Sequence, residues 1–165
     1  MLERGREMVS FSYEHLVPVR HYVHQHPELS GQEYQTTAYL KAYLEKLGVR
    51  ILNSGLKTGL IAEIGSGKPV IALRADIDAL PIQENTGLDY QSQNPGVMHA
   101  CGHDFHQVSL LGAAEVLKGM EAGLKGTVRL IFQPAEETSE GASAVLATGL
   151  LEDVEAILGF HNMPS

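Results

Sequence analysis

PVIALRADIDALP, residues 69–81, opens on an apolar run and closes on two aspartates, Asp76 and Asp78. The same order recurs twice: VRLIF (128–132) leads to Glu136 and Glu137, and AILGF (156–160) leads to His161. A fourth cluster, HACGHDFH (99–106), sets the single cysteine, Cys101, among His99, His103 and His106. Short apolar runs bounded by turn residues read as buried strands. If these run parallel, their carboxyl ends share one edge of the sheet, which is where open α/β sheets place their sites. The four clusters then converge. Thiolate, imidazole and carboxylate together make a ligand set for a divalent metal such as zinc or manganese, and two metals can be accommodated.

Working outward, 49–52 and 59–64 read as two further strands ahead of 69–73, separated by turns such as Gly65-Ser66-Gly67. A helix over 32–47 carries Thr36, Leu40, Leu44 and Leu47 on one face and meets Gly48 at the left-handed cap position. Upstream, Leu16, Val19 and Val23 recur at helical spacing within 11–26, and Pro18 predicts that this helix starts or kinks there. The opening ten residues are mixed, carry no site signal and are expected to be partly disordered. Residues 82–98 are polar and turn-rich, a long surface loop leading into the cysteine cluster. Val108, Leu110, Leu111, Ala114 and Leu117 define a buried helix over 104–120. A strand over 126–132, a short helix over 142–148 and a last strand over 154–160 follow. Strands alternating with helices of this length indicate βαβ units in an α/β sandwich.

At 165 residues the chain is about one domain, large enough to bury ~70% of its unfolded surface. No apolar stretch reaches the ~18 residues that would span a bilayer, and the N-terminus lacks the basic-then-apolar order of a secretory signal. The chain therefore reads as soluble and cytoplasmic, with no membrane partner. One cysteine cannot form an internal disulfide, which fits a reducing compartment. A net charge of −8, with 12 scattered Lys and Arg residues, argues against nucleic acid as a partner.

Each cluster also has a plainer interpretation. An i, i+2 pair in extended backbone projects to one side, so Cys101 and His103 could grip one ion. The helix that follows would lower the thiol pKa. Against this stand a structural buried cysteine, or Cys101 as a nucleophile with a histidine base. Adjacent Glu136 and Glu137 would point apart in extended backbone, so that one binds metal while the other faces substrate as general base; solvated surface acids are the alternative. Asp76 and Asp78 could orient a metal-bound group or simply cap an acidic turn, and Asp78 is preferred for the orienting role. His161 gains interest only by converging with the others. His15, His21, His24 and His26 are expected not to bind metal.

Taken in order, HQHPELSGQE, ALRADIDALPIQE, HACGHDFH, IFQPAEE and GFHNMP closely resemble the amidohydrolase branch of the aminoacylase and carboxypeptidase metallopeptidase superfamily. That branch includes hippurate hydrolases, auxin-conjugate hydrolases and N-acetyldiaminopimelate deacetylases. The resemblance implies a three-layer α/β/α sandwich around a mixed, largely parallel sheet. It matches Cys101 to the shared metal ligand, His103 and Glu137 to further ligands, and His161 to a ligand of the second metal. Glu136 matches the general base and Asp78 the aspartate that orients metal ligands. The cofactors implied are two divalent ions, zinc or manganese ahead of cobalt or nickel. Asp76 stands where many relatives have a ligand histidine, and Phe105 where relatives carry a smaller residue or methionine.

Members of that branch are more than twice as long and insert a lid domain before a final histidine ligand. Residues 1–165 thus correspond to the N-terminal portion of the catalytic domain, and an incomplete sheet is expected to favour homo-oligomers through its exposed edge. The expected reaction is metal-dependent hydrolysis of the amide of a small N-acyl amino acid or related conjugate. Two other classes compete: a non-catalytic metal-binding remnant, and a cysteine hydrolase using Cys101. A zinc nucleobase deaminase is disfavoured because its paired-cysteine motif is absent.

Overall fold

Alternation at period two sorts the strand residues between two cores, one on each face of a single sheet. The structure, a computed structural model, describes the backbone of residues 2–163 and the side chains of residues 14–163. Its elements are α1 (Leu2–Gln25), α2 (Tyr34–Lys46), β1 (Arg50–Ile51), β2 (Leu60–Gly65), β3 (Val70–Asp76), α3 (His103–Gly119), β4 (Thr127–Gln133), α4 (Gly141–Ala147) and β5 (Ala156–Gly159). The sheet order is β1-β2-β4-β3-β5. One face sends Leu60, Ala62, Ile64, Val128, Leu130 and Phe132 into a core shared with Val19 and Val23 of α1, Leu40 and Leu44 of α2, and Val108, Leu111 and Ala114 of α3. The other face packs Ile61, Ala72 and Ile131 against Val145 of α4 and the loops around it. This is the expected α/β/α sandwich.

The sheet is mixed in a way that separates scaffold from site. β1–β2 and β2–β4 pair antiparallel, whereas β4–β3 and β3–β5 pair parallel. The three strands that precede the acidic and histidine clusters are thus the parallel ones, and their ends are in step: Asp76 lies opposite Gln133, and Arg74 opposite Gly159. β5 forms an exposed edge on all four of its residues.

Pro18 neither starts nor visibly interrupts a helix, since α1 runs through it. The lost hydrogen bond is outweighed by the packing that Leu16, Val19 and Val23 gain against α3. Gly112 permits that approach, because a Cβ there would sit 2.6 Å from Leu16 Cδ1. The opening ten residues, expected to be partly disordered, instead have helical backbone from Leu2 onward as the first turns of α1, while their side chains lie outside the described residues. Gly48 has the left-handed conformation (φ +72°) expected at the end of α2. The loop over 82–98 is tied down by a buried residue of its own, Glu84, which accepts hydrogen bonds from Thr86 Oγ1 and the Ser92 amide.

On the second face, Arg129 of β4 pairs with Glu63 of β2 at 2.9 Å and with Asp153, and both Arg129 and Glu63 are buried. Removing the guanidinium would leave the Glu63 carboxylate in the sheet with only the exposed Arg50 for company. Arg129→Ala is expected to destabilise the chain by about 3 kcal/mol, a fall of roughly 10 °C in Tm. Thermal unfolding followed by circular dichroism checks this, and an unchanged Tm would contradict it. Among the described residues, no helix is long and apolar enough to cross a membrane.

Candidate metal centre

Parallel pairing delivers three loop starts to one edge, and the side chains follow. β3 ends on Asp76, fully buried, whose Oδ2 accepts from Arg74 Nη1 at 2.7 Å and whose Oδ1 accepts from His106 Nδ1 at 2.6 Å. Burial alone would raise the Asp76 pKa, but the His106 hydrogen bond and the charges of His103 and Arg74 hold it below the usual range. Two residues on, Asp78 Oδ2 accepts from Ser30 Oγ at 2.7 Å and from the Glu137 amide at 3.0 Å. Burial opposes ionisation there too, yet His103, Ser30 and the backbone amides of Glu137 and Glu136 hold its pKa at about 2.

His103 is the first residue of α3 and is fully buried. Its Nδ1 donates to the Asp78 carbonyl at 2.9 Å and lies 3.3 Å from Asp78 Oδ1. That assignment leaves Nε2 as the free lone pair. Nε2 faces Glu137 Oε1 at 3.7 Å, Asp76 Oδ1 at 3.7 Å and Glu136 Oε2 at 3.8 Å. Among the described residues, His103 Nε2 and Glu137 Oε1 are both buried polar atoms without a hydrogen-bond partner. Such orphans are costly unless something else satisfies them. A cation between them would do so.

Cys101, His103 and Glu137 present ligand atoms within 4.8 Å of one another, and so do Asp76, His103, His106 and His161. The two groups share His103. His161 Nδ1 donates to the Asn162 carbonyl at 2.7 Å, which turns Nε2 toward Cys101 Sγ at 3.5 Å. His106 Nε2 meets the Asn162 side chain. Four carboxylates and a thiol thus crowd one buried imidazole, while Arg74 balances a single one of those charges. The donor set fits divalent ions on both chemistry and charge.

Three local expectations are corrected. Cys101 and His103 do not converge through extended backbone: Gly102 between them is left-handed (φ +79°) and precedes α3, and the turn brings both side chains inward. The helix does not depress the thiol pKa. Burial, then the Glu137, Glu136 and Asp76 carboxylates, push it up to about 11, because nearby full charges outweigh a partial helix charge. Glu136 and Glu137 do not point apart either, since both reach His103 Nε2. They follow Ala135, whose φ of +48° reverses the chain after β4 at a cost of roughly 1 kcal/mol.

Of the cysteine-flanking histidines, His106 joins the cluster and His99 does not. His99 is buried with neither ring nitrogen paired among the described residues, and burial lowers its pKa to about 4. His24 sits apart, between Asp104 Oδ2 at 2.9 Å and Glu84 Oε1 at 3.2 Å, and His21 stacks on Tyr90. Neither joins a ligand group among the described residues. Ser30, Glu33, Arg74 and Asn162 were not legible as site residues; for Ser30 and Glu33 the available signal was their place in HQHPELSGQE.

Asp78 and Asp104 are each held at about 2 against an ordinary 3.8. A carboxylate depressed on folding stabilises fully above its unfolded pKa and loses that stabilisation as pH falls through the folded value. Each is expected to contribute about 2 kcal/mol, lost between roughly pH 5 and 2. His24 has the opposite sign: its pKa is raised by Asp104 against the effect of burial, so its contribution is full below its unfolded pKa of 6.5 and is lost as pH rises through its folded value. Urea midpoints of chelator-treated chain across pH 2–8 check this, and a flat profile below pH 5 would refute it.

Comparison with known proteins adds the following. The profile of peptidase family M20/M25/M40 matches residues 72–165. An N-acetyl-L-cysteine deacetylase of Bacillus subtilis is 53% identical over 151 residues, covering 90% of this chain and 36% of the relative. IAA-amino acid hydrolase ILR1-like 5 of Arabidopsis thaliana is 47% identical over 150 residues, covering 90% of this chain and 34% of the relative. Among solved structures, the Bacillus subtilis YXEP protein, described as a dinuclear metal binding peptidase from the M20 family, superposes with a TM-score of 0.89 at 52% identity. That match covers 97% of this chain and 44% of the other. The chain therefore spans less than half the length of each of these relatives.

Proposed function

Because the chain belongs to peptidase family M20/M25/M40, we propose that its buried cluster holds divalent metal ions and serves hydrolysis of the amide bond of small N-acyl amino acids or related conjugates. The observation that carries this is the pair of orphaned atoms, His103 Nε2 and Glu137 Oε1, 3.7 Å apart beside Cys101. A relative described as dinuclear supports two ions, and the deacetylase and conjugate-hydrolase relatives support the substrate class. Cys101, His103, Glu137 and His161 are the ligands in this reading, with zinc or manganese the ions.

When bound, the ions supply Lewis acidity and neutralise the surplus negative charge of the cluster. The chain's own groups do the rest. Asp78 fixes His103 through Nδ1 and the Glu137 backbone through its amide, so that both ligands are aimed before anything binds. Glu136, the more exposed of the glutamate pair, takes a proton from the attacking water as the water oxygen bonds to the carbonyl carbon. As the C–N bond breaks, Glu136 passes that proton to the leaving nitrogen, giving a carboxylic acid and a free amine.

The 3.5 Å contact between Cys101 Sγ and His161 Nε2 favours a second reading, a thiol nucleophile with a histidine base. The surrounding carboxylates oppose it by disfavouring the thiolate. Elemental analysis of the purified chain, paired with amine release from a panel of N-acyl amino acids before and after chelation, separates the readings. Close to two ions per chain and chelator-sensitive hydrolysis support the metal mechanism. Chelator-insensitive hydrolysis that alkylation stops would favour the thiol. Little metal and no hydrolysis in a folded sample would favour a non-catalytic remnant.

A further inference from the structure

The segment Glu28-Leu29-Ser30-Gly31-Gln32-Glu33 lies between α1 and α2 and contributes no ligand, yet its polar side chains reach the metal centre from two sides. Leu29 bridges to Ala79, and the Ala79 amide donates to the Glu28 carbonyl at 2.8 Å, which docks the segment alongside the Asp78 loop. Ser30 Oγ then donates to Asp78 Oδ2 at 2.7 Å, the same oxygen that accepts the Glu137 amide. Glu33 occupies the N-cap position of α2 but makes no capping bond. Capping falls instead to Glu28, whose carboxylate accepts from the amides of Gln35 at 3.1 Å and Thr36 at 2.8 Å.

Relieved of that task, Glu33 is fully buried and reaches 102 residues along the chain to accept the Ala135 amide at 2.7 Å. Ala135 is the left-handed residue (φ +48°) that turns Glu136 and Glu137 toward His103. A non-glycine residue leaves that conformation unless its surroundings hold it there. Its carbonyl is held by the Gly141 amide at 3.0 Å, and its amide by Glu33.

We propose that residues 28–33 form a positioning strap for the carboxylates of the metal centre, with Glu33 holding the turn at Ala135 and Ser30 holding Asp78. Glu33 and Ser30 are positioning residues: neither belongs to a ligand group, and each acts through the residue it holds. The strap rests on the metal-centre reading given above. It assigns work to HQHPELSGQE, a stretch whose histidines lie outside the cluster.

The test uses Co(II) as probe, titrated into the chain by its visible and thiolate absorption, with hydrogen exchange across 134–138 measured separately without metal. Glu33→Gln keeps an acceptor oxygen, whereas Glu33→Met keeps the volume and removes it. Glu33→Met is expected to weaken Co(II) binding about tenfold and to speed exchange of the Ala135 amide. Glu33→Gln should stay within about threefold of wild type in binding and retain slow exchange. Equal behaviour of the two variants in both measurements overturns the strap, since packing alone would then suffice. Ser30→Ala, a smaller change, should weaken Co(II) binding several-fold with Tm unchanged, and it decides the matter if Glu33→Met does not fold. Failure of the wild-type chain to bind Co(II) would instead overturn the metal centre, and the exchange comparison would still judge the strap.

Discussion

Glu136→Gln is expected to lower kcat for amide hydrolysis by about three orders of magnitude while metal content stays at the wild-type level. Two geometric facts support the expectation. Glu136 is the more exposed of two adjacent carboxylates, with a side-chain exposure of 35% against 22% for Glu137, so it can meet substrate and water. It is also absent from both ligand groups, so an amide in its place leaves Cys101, His103, Glu137, Asp76, His106 and His161 untouched. Glutamine matches the shape of glutamate but cannot shuttle a proton. The loss should therefore appear in kcat, with KM nearly unchanged, because the missing interaction belongs to the transition state.

The same variant divides the competing readings. A thiol nucleophile at Cys101 would keep its histidine partner, and Glu136→Gln would cost it little. Retention of wild-type kcat therefore sinks the general-base role. A loss of metal along with activity would instead mark Glu136 as a ligand, and the division of labour between the two glutamates would have to be redrawn.

Three of the four clusters were legible because each follows an apolar run, and parallel pairing of β3, β4 and β5 brings their ends into step. Strand order was not. Gly65-Ser66-Gly67 looks like a hairpin turn between neighbours, yet Gly65 pairs with Thr127, because β4 enters between β2 and β3 from about sixty residues downstream. Local sequence carries no trace of an insertion made by a distant strand. The Cys101 thiol was misjudged for a related reason. The helix charge beside it is visible in sequence, whereas the burial that overrules it, and the carboxylates that add to it from β3 and from the turn after β4, come with the fold. Ala135 was unreadable in a different way: alanine has no preference for left-handed backbone, and the contacts at that turn, from the Gly141 amide and the remote Glu33 carboxylate, are set by the fold.

His103→Ala is expected to reduce affinity for one of the two ions by at least about 100-fold, since loss of a ligand should cost as much as or more than loss of a group that merely orients one. His103 has one free lone pair, on Nε2, aimed by the Asp78 carbonyl on Nδ1, and so can hold a single ion. Without it, Asp76, Glu136 and Glu137 lose the imidazole they all face. Cys101→Ser makes the contrast. Cys101 Sγ faces both the His103–Glu137 pair and His161 Nε2, and a thiolate has lone pairs for two ions, so this variant should weaken both. Calorimetric titration with zinc of the chelator-treated chain reads both: two binding events in the wild type, one of comparable affinity in His103→Ala, and both weakened in Cys101→Ser. If His103→Ala keeps both events while remaining folded, this imidazole is not a ligand, and the centre assembled around it is wrong.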